Sequence, residues 1–456
     1  MRSLGGRMHR GLALIALAAM ALLVPGRSAL ALPVFARQTG MPCEACHIGS
    51  FGPQLTPLGI AFKLGGYTMQ AGSGIASKIP LSAMAFSSFT HTNDKQPSPP
   101  AADFRTNDNF ALDQISLFLA GRATNYAGGF VQATYSGIDH SSHLDNTDLR
   151  LTSPFNVSTN TLQLGVDLNN NPTVQDPYNT TYAWSFPYVS SALAPVPGTQ
   201  PLLAGALAGN SVGITAYAWW NQSLYAEFGG YRSLDSRWVS ALGETPPPGF
   251  IRGVAPYLRL AYQKQWNGQL AEVGFLGFYA PLAEASFGTP GTNSYLDYGI
   301  DGTYQFLGNG KNVVSLYAIL LQESQNLAAA YNAGAASRIY HRLDQLRTNL
   351  SYYFDETYGL TLGYVNTVGS RDPILYAPAP VTGSRTGTPD SQAIIAQLDW
   401  TPFGKSDSWA EPWVNLRLGL QYTYYLEFNG AGSNYDGYGR SASGNNTLYG
   451  FAWIAF

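Results

Sequence analysis

From residue 79 to Phe456, apolar and polar residues alternate in runs of about ten residues. Successive side chains of a β-strand point to opposite faces, so this period of two predicts strands with one apolar and one polar face. The clearest run begins at Val414 and ends at Phe428, and every even-numbered residue in it is aliphatic or aromatic. Another run sets Ile300 on the face opposite Asp301. Alternation of this length favours a membrane barrel over a soluble sandwich, whose strands are shorter.

Sixteen segments show this alternation, and bacterial outer-membrane barrels have an even number of strands. The segments are 79–91, 110–122, 127–138, 144–152, 160–169, 211–221, 223–233, 255–264, 268–280, 295–307, 311–322, 341–354, 357–367, 391–401, 413–428 and 446–456. We therefore predict an all-β fold, a 16-stranded antiparallel transmembrane β-barrel of the outer membrane over residues 79–456. The aromatic residue Phe456 at the end of the last segment is typical of such barrels.

The connections between the predicted strands alternate in length. Those after even-numbered strands are mostly short, such as 221–222 and 308–310, and those after odd-numbered strands are mostly long, such as 170–210. Short periplasmic turns and long external loops alternate in this way in outer-membrane barrels. Residues 402–412 are an exception, because they form a long connection where the pattern predicts a short one.

The N-terminus has the features of a secretory signal peptide. Arg2, Arg7 and Arg10 precede an apolar run, Leu12 to Val24, that contains no charged residue, and Ala29 to Ala31 supplies small residues for cleavage. The alternative is a membrane anchor, but the apolar run is too short to span a bilayer as a helix. We therefore predict that residues 1–31 are removed on export.

The composition agrees with an exported membrane protein. Charged residues make up 12% of the chain and aromatic residues 13%, with a net charge of −3. The charged share is about half of that in soluble proteins. A chain with few charged and many aromatic residues suits a barrel wall that faces lipid. The slightly negative net charge gives no indication of nucleic-acid binding.

The chain contains only two cysteines, both in the sequence Cys43-Glu44-Ala45-Cys46-His47. Two thiols at this spacing followed by histidine attach a haem c covalently and present an imidazole to its iron. The alternatives are a thioredoxin-like redox pair, which needs a βαβ context, and a structural disulfide, which has no use for His47. We predict one covalent haem c, held by a monohaem cytochrome c segment at residues 32–78.

The second axial ligand of this haem is predicted to be Met69, downstream of the motif, because a thioether ligand raises the reduction potential. The alternatives are a histidine from elsewhere, and a purely packing role for Met69. The aromatic residues Phe35, Phe51 and Phe62 are expected to cover the porphyrin.

Two blocks of the sequence carry a resemblance to a known family. The first is residues 36–67, with Ala36-Arg37-Gln38-Thr39-Gly40, the haem motif, Leu55-Thr56, Gly59, Phe62-Lys63-Leu64 and Gly66-Tyr67; the second is residues 170–177. In these blocks the chain resembles the fused monohaem cytochrome–porin family of outer-membrane iron oxidases. The family often has a basic residue after the position of Gly59, whereas this chain has Ile60, so the charge near the haem is expected to differ.

The resemblance implies an oxidoreductase that oxidises ferrous iron outside the cell. Its haem segment is expected in the barrel lumen or on the periplasmic side, passing electrons to a periplasmic c-type cytochrome or copper carrier. One alternative is a porin-like channel with a structural or sensory haem. Another is a conduit for a donor or acceptor other than iron.

Two loops are candidate sites for the electron donor. Loop 170–210 contains Asp176 and could fold into the lumen, although a structural turn cluster is the alternative. Residues 139–145 contain His140, His143 and two aspartates, which are suitable iron ligands, but a solvated polar loop has the same composition.

Overall fold

The computed structural model describes residues 33–72, 74–243, 249–284 and 291–456. The predicted signal peptide, residues 1–31, lies outside the described residues. All sixteen predicted strands are confirmed, with one short additional strand, β8. The strands are β1 (Leu81–Thr92), β2 (Asn109–Arg122), β3 (Ala127–Ser136), β4 (Ser141–Val157), β5 (Asn160–Asn169), β6 (Ser211–Trp220), β7 (Leu224–Ser233), β8 (Gly249–Ile251), β9 (Ala255–Trp266), β10 (Gln269–Glu284), β11 (Asn293–Phe306), β12 (Asn312–Asn326), β13 (Tyr340–Phe354), β14 (Tyr358–Gly369), β15 (Ser391–Trp400), β16 (Asn415–Glu427) and β17 (Thr447–Ala455).

The sixteen long strands form one closed antiparallel ring. Each pairs with its neighbours along the chain, and β7 pairs directly with β9. The ring closes between the first and last strands, where Phe86 on β1 is opposite Trp453 on β17. The short strand β8 adds to the end of β10, with Ile251 opposite Leu282. Closure leaves no open edge among the long strands, as a membrane-spanning sheet requires.

The two faces of the ring are the reverse of those in a soluble protein. Ile300 on β11 is 59% exposed, whereas its neighbour Asp301 is 3% exposed. Other exposed residues on the outer face are Leu117, Leu260, Leu320, Leu360 and Leu398. Other buried residues on the inner face are Asp148, Arg150, Asp167, Glu227, Arg259 and Glu272. Apolar residues outside and polar residues inside are the pattern of a barrel that stands in lipid.

The connections confirm the predicted alternation of lengths. At one end of the barrel the turns are short: 123–126, 158–159, 221–223, 267–268, 307–311 and 355–357. At the other end the longest connections are 93–108, 170–210, 234–254, 370–390 and 428–446. We therefore refer to the periplasmic end, with short turns, and the external end, with long loops. The connection 401–414 is the one long segment at the periplasmic end.

Residues 33–80 precede the barrel and form short helices. These are α1 (Pro33–Thr39), α2 (Cys43–Cys46), α3 (Pro57–Leu64) and two 3₁₀ turns, Ile48–Ser50 and Ala76–Lys78. Two further helices lie in loops at the external end, α4 (Ser236–Ala241) and α5 (Ala328–Asn332). In the described part of the chain, no helix has the length and apolar character needed to cross a bilayer.

Several bounds of the predicted strands differ from the structure: β4, β10 and β12, for example, end four or five residues later than predicted. Phe428 was predicted to end the apolar face of the run 414–428, but β16 ends at Glu427 and Phe428 is buried against the rings of Tyr425 and Tyr435. Strand β4 was predicted to begin at residue 144, but it begins at Ser141. Its extra residues pair with β3 across a register shift, which the alternation pattern does not encode.

Candidate functional site

Hydrogen bonds join the N-terminus of helix α3 directly to the Cys43–His47 motif. Thr56 caps the helix, because its side-chain oxygen accepts a hydrogen bond from the Gly59 amide (3.3 Å), and Pro57 occupies the first helical position. The Thr56 hydroxyl also donates to the Ala45 carbonyl (2.6 Å), and its amide donates to the Cys46 carbonyl (3.0 Å). One residue therefore ends the motif's loop and begins the helix.

Gly59 allows this close approach. A Cβ atom at this position would lie 2.3 Å from the Cys46 carbonyl oxygen, which is too close for any other residue. Ile60 is fully buried in an apolar cluster with Leu64 and Tyr178. Ile60 does not line the cavity described below, and the expected difference in charge near the haem stays a prediction.

The long periplasmic connection 401–414 packs on the motif. The Glu44 amide donates to the Gly404 carbonyl (3.2 Å), and the Ser406 amide donates to the Glu44 carboxylate (3.3 Å). At the start of β16, the Asn415 side-chain amide donates to the Cys43 sulfur (3.3 Å) and to the Ser50 carbonyl (2.7 Å). The exceptional length of this connection thus has a structural reason: it covers the motif from the periplasmic end.

The N-terminal segment contacts the inner face of the wall on many strands. Arg417 on β16 donates to the carbonyls of Phe51 and Gly52 (both 3.1 Å), and Tyr217 on β6 donates to the Leu64 carbonyl (2.7 Å). Further partners are Asp148 on β4, Gln305 on β11, Ser315 on β12 and Ser351 on β13. The segment therefore packs against inward-facing side chains from opposite parts of the ring.

Lys63 joins the two sequence blocks that carry the resemblance. Its ammonium donates to the carbonyls of Val174 (2.8 Å) and Asp176 (2.7 Å) and to the Asn179 side chain (2.9 Å). It also lies 4.8 Å from the ring centre of Trp184. Burial lowers the pKa of Lys63 to about 8. Residues 36–67 and 170–177 thus meet at one buried amine, which sequence reasoning did not find.

Asp176 is committed to the architecture of loop 170–210. One carboxylate oxygen accepts from the amides of Thr180 (2.9 Å) and Thr181 (3.0 Å), and the other faces Arg259 on β9 at 3.3 Å. Arg259 also forms an ion pair with Asp301 on β11. Because every oxygen of Asp176 has protein partners, the structural alternative for this residue is the one that the geometry favours.

Loop 170–210 crosses the barrel interior, as the sequence suggested. The Leu202 amide donates to Glu323 on β12 (2.6 Å), and the Leu203 amide donates to Asp297 on β11 (3.1 Å). On another side of the ring, the Val189 carbonyl accepts from Gln421 on β16 (3.1 Å). The loop therefore fills lumen space that an open porin would leave to water.

A cavity of about 360 Å³ lies between the N-terminal segment, loop 170–210 and the wall. This volume is within the usual range for ligand pockets, roughly 300–1,000 Å³. Its aromatic lining includes the predicted Phe35, Phe51 and Phe62, together with Phe118, Phe130 and Trp453 from the wall. Polar side chains of Gln114, Gln132 and Asn146 line another part. The carboxylate of Asp145 lies on this polar part too, and the largely apolar, aromatic remainder suits a planar aromatic cofactor.

The structure brings Cys43, Cys46 and His47 together on the wall of this cavity. The His47 Nδ1 atom lies 3.3 Å from the Gln54 carbonyl, which leaves Nε2 available. Such a hydrogen bond fixes the tautomer and orientation of a metal-binding histidine. Burial lowers the pKa of His47 to about 4, so its ring is neutral, as a ligand must be. These residues fit a covalent haem c.

The thiol chemistry of Cys46 differs from that of a redox-active pair. Burial raises the pKa of Cys46 to about 11, whereas reactive cysteines have a lowered pKa. Because a protonated thiol is a poor nucleophile, this environment does not favour the thioredoxin-like alternative.

The structure does not bring Met69 to the cavity that the motif lines. Met69 packs beside it, and its carbonyl accepts from the Gln38 side chain (2.7 Å). Two other methionines, Met41 and Met84, do line the cavity. The axial role of Met69 stays a prediction.

Residues 139–145 do not form the iron site that their composition suggested. Asp145 accepts from Gln132 and Thr134 (both 3.0 Å) inside the barrel, and Asp139 accepts from Ser136 (3.0 Å) in a tight turn. Among the described residues, no group of three or more His, Cys, Asp or Glu side chains could hold a metal ion.

Comparison with solved structures finds porins. They include OmpF of Salmonella typhi in complex with daunomycin (13% identity, TM-score 0.44, covering 82% of this chain and 97% of that chain). An anion-selective porin from Comamonas acidovorans has 13% identity and a TM-score of 0.44, over 82% of this chain and 98% of that chain. The outer membrane channel DcaP of Acinetobacter baumannii has 10% identity and a TM-score of 0.44, over 82% and 96%. No protein-family model and no curated protein matches the chain.

The class of the protein follows from its own strand pairing and inverted faces. A closed antiparallel ring, apolar outside and polar inside, is a porin-like β-barrel of the bacterial outer membrane.

Proposed function

We propose that this protein oxidises ferrous iron outside the cell and passes electrons through one covalent haem c to a periplasmic carrier, a c-type cytochrome or a copper protein. The observation that carries the proposal is the meeting of Cys43, Cys46 and His47 on one cavity inside a barrel. A plain solute channel has no use for this combination. The sequence resemblance supplies ferrous iron as the donor.

A bound haem supplies one-electron oxidation and reduction. In this chain Cys43 and Cys46 would carry its covalent links, and His47 would supply a ligand to its iron. Arg417 places a buried guanidinium 4.9 Å from the ring centre of Phe51, next to the motif. A fixed positive charge there favours the reduced state, because reduction lowers the positive charge of the iron centre.

The periplasmic end offers a short exit for electrons. The motif lies among residues of the short turns: Ile48 packs with Val313 and Tyr353, and the Gly49 amide donates to Glu356 (2.5 Å). Glu44 and Cys46 are half-buried, so the motif is close to the surface at this end. A periplasmic carrier could therefore approach the motif without entering the barrel.

At the external end, loop 170–210 separates the donor from the motif. Trp184, Ser185 and Tyr188 of this loop line the cavity. Ferrous iron would therefore meet the loop and the strand ends first, which supports electron transfer over iron entry. Oxidation outside the cell also keeps insoluble ferric iron out of the periplasm.

A porin-like channel is the second candidate function, and the barrel itself favours it. In that case the cavity-lining motif would be structural or sensory, and solutes would pass around loop 170–210. Conductance in planar bilayers distinguishes the two candidates, because a lumen filled by the loop and the segment is expected to conduct far less than an open barrel.

The test of the proposed function is anaerobic mixing of oxidised, detergent-purified protein with excess ferrous iron. The haem absorption spectrum should change to that of the reduced form within seconds to minutes. The matched control is Cys43→Ala with Cys46→Ala, which should show no such spectrum. A wild-type haem that stays oxidised with iron, from mildly acidic to neutral pH, yet is reduced by dithionite, would refute ferrous iron as donor.

A further inference from the structure

A haem c held by Cys43, Cys46 and His47 would have one face of its iron supplied by His47 and the other still to be filled. This inference therefore rests on the proposed function. The described residues that line the cavity include one histidine, His47 itself. Side chains on the cavity wall that carry possible iron ligands include Lys63, Tyr67, Met41 and Met84, and each of these can be weighed by its present partners.

Lys63 and Tyr67 are occupied by other contacts. The Lys63 ammonium has three oxygen acceptors within 2.9 Å, and a protonated amine has no lone pair to offer iron. The Tyr67 hydroxyl donates to Asp148 (2.8 Å), which forms a buried ion pair with Arg150 (2.8 Å). Recruiting either side chain would leave buried partners unsatisfied.

Met41 is tied to the side of the motif. Two residues of extended chain span at most about 7 Å, so the backbone of Met41 stays close to Cys43. It is also half-exposed. A residue so near the attachment point is poorly placed to reach the face of the iron opposite His47.

Met84 belongs to the wall, on a separate element from the motif. It is 6% exposed on the inner face of β1, in a cluster with Phe51, Phe118 and Phe130. Its neighbours at alternate inward positions, Ser82 and Ser88, are polar. Phe86, at the next inward position, is also apolar, but of these inward residues only Met84 lines the cavity and carries an atom that can bind iron.

Trp453 holds the sulfur of Met84. The indole Nε1–H donates to Met84 Sδ at 3.2 Å, across the seam that closes the barrel. The same indole packs edge-on against Phe51, with ring centres 5.0 Å apart. A donor at this sulfur orients the thioether and withdraws electron density from it.

We propose that Met84 on β1, oriented by the indole N–H of Trp453, is the second axial ligand of the haem. The cofactor would then be bound covalently by the segment and coordinated by the wall. A thioether ligand raises the potential, and the Trp453 hydrogen bond raises it further because it weakens electron donation by sulfur.

The experiment uses full-length protein and four variants: Met84→Leu, Met69→Leu, Met41→Leu and Trp453→Phe. Leucine replaces the thioether at similar volume, and phenylalanine keeps an aromatic ring without the N–H donor. Haem staining on denaturing gels and heat-modifiable migration establish attachment and barrel folding in every variant. The readouts are the near-infrared thioether-to-ferric-iron absorption band and the reduction potential.

Met84→Leu should abolish the band and lower the potential, while Met69→Leu and Met41→Leu should keep both at wild-type values. Trp453→Phe should keep the band and lower the potential by a smaller shift. A band that survives in Met84→Leu, disappears in Met69→Leu or Met41→Leu, or is missing from haem-loaded wild type overturns the assignment. A wild type without haem staining instead contradicts the proposed function.

Discussion

The barrel wall and the N-terminal segment are built in different ways. The wall is held by continuous backbone pairing, and each strand meets its neighbour over many residues, as in the fifteen-residue pairing of β12 with β13. In the described residues of the segment, 33–72 and 74–80, the helices are all short, and many of the segment's polar contacts are made with the wall or with loop 170–210. The wall is held by pairing among its own strands, whereas the segment is held largely by contacts with the wall and loop 170–210.

This difference follows from size and composition. A segment of fewer than about 50 residues can bury too little surface for a robust core of its own. Its buried residues, such as Ile60 and Phe62, complete their packing against Tyr178 and Phe130 outside the segment. Changes in the segment should therefore loosen the segment and leave the wall intact.

The largest effect is expected from Cys43→Ala with Cys46→Ala. Haem staining should be lost completely, and amide exchange in residues 33–72 should become faster because the cofactor no longer fills the cavity. The wall should keep its heat-modifiable migration on gels. Loss of that migration in the variant would show that the wall needs the segment to fold, and would contradict the conclusion that the wall is stable without it.

A smaller effect is expected from Lys63→Met, which removes the amine that joins segment and loop. Each buried acceptor left without a donor costs roughly 1–3 kcal/mol. Limited proteolysis should then cut residues 170–184 faster than in wild type, with the wall again intact. Lys95→Met, at an exposed loop position, is the matched control and should leave the cleavage rate unchanged. Equal cleavage rates in both variants would show that Lys63 does not hold loop 170–210 against the segment.

The smallest effect concerns Glu411, in the connection 401–414. Burial, and then the charges of Glu44 and Asp407, raise its pKa to about 8. Because the folded state holds this proton more tightly than the unfolded state, stability is lost as pH rises from the ordinary carboxyl pKa of about 4 through about 8. Amide protection in 401–414, corrected for the base-catalysed intrinsic exchange rate, should therefore be lower at about pH 9 than at about pH 6.

Glu411→Gln should flatten this pH dependence, because the amide does not ionise. Asp94→Asn, at an exposed position in the external loop 93–108, serves as the control and should keep the wild-type profile. A profile for Glu411→Gln that matches wild type would assign the pH dependence to other groups.

The wall could be predicted from the sequence because its information is local. Alternation along a strand such as β11 reveals both faces, and loop lengths reveal the ends. The motif Cys43-Cys46-His47 was equally local. The roles of Lys63 and Met84 could not be predicted locally, because each side chain contacts a partner more than 100 residues away. Lys63 donates to Val174, and Met84 accepts from Trp453. Met84 is an apolar residue at an inward position of β1, but Phe86 is too, so this local signal does not distinguish Met84.

The length of connection 401–414 had no local signal, and for Asp176 the turn composition suggested a structural role but not the ion pair with Arg259. The connection is long because it packs on Glu44, and Asp176 in loop 170–210 pairs with Arg259 on strand β9. Neither contact leaves a periodic pattern in the sequence. Contacts between distant parts of the chain decide which polar residues are structural and which remain available for chemistry.

The most direct test of the account uses sealed vesicles that contain the protein, with trapped oxidised cytochrome c and, in a parallel sample, a trapped chromogenic chelator for ferrous iron. Ferrous iron is added outside. The account predicts that the trapped cytochrome becomes reduced while the trapped chelator stays colourless. In vesicles with the Cys43→Ala/Cys46→Ala variant, the trapped cytochrome should stay oxidised and the trapped chelator should stay colourless. A coloured chelator with no haem-dependent reduction of the trapped cytochrome would contradict the account and leave a solute channel.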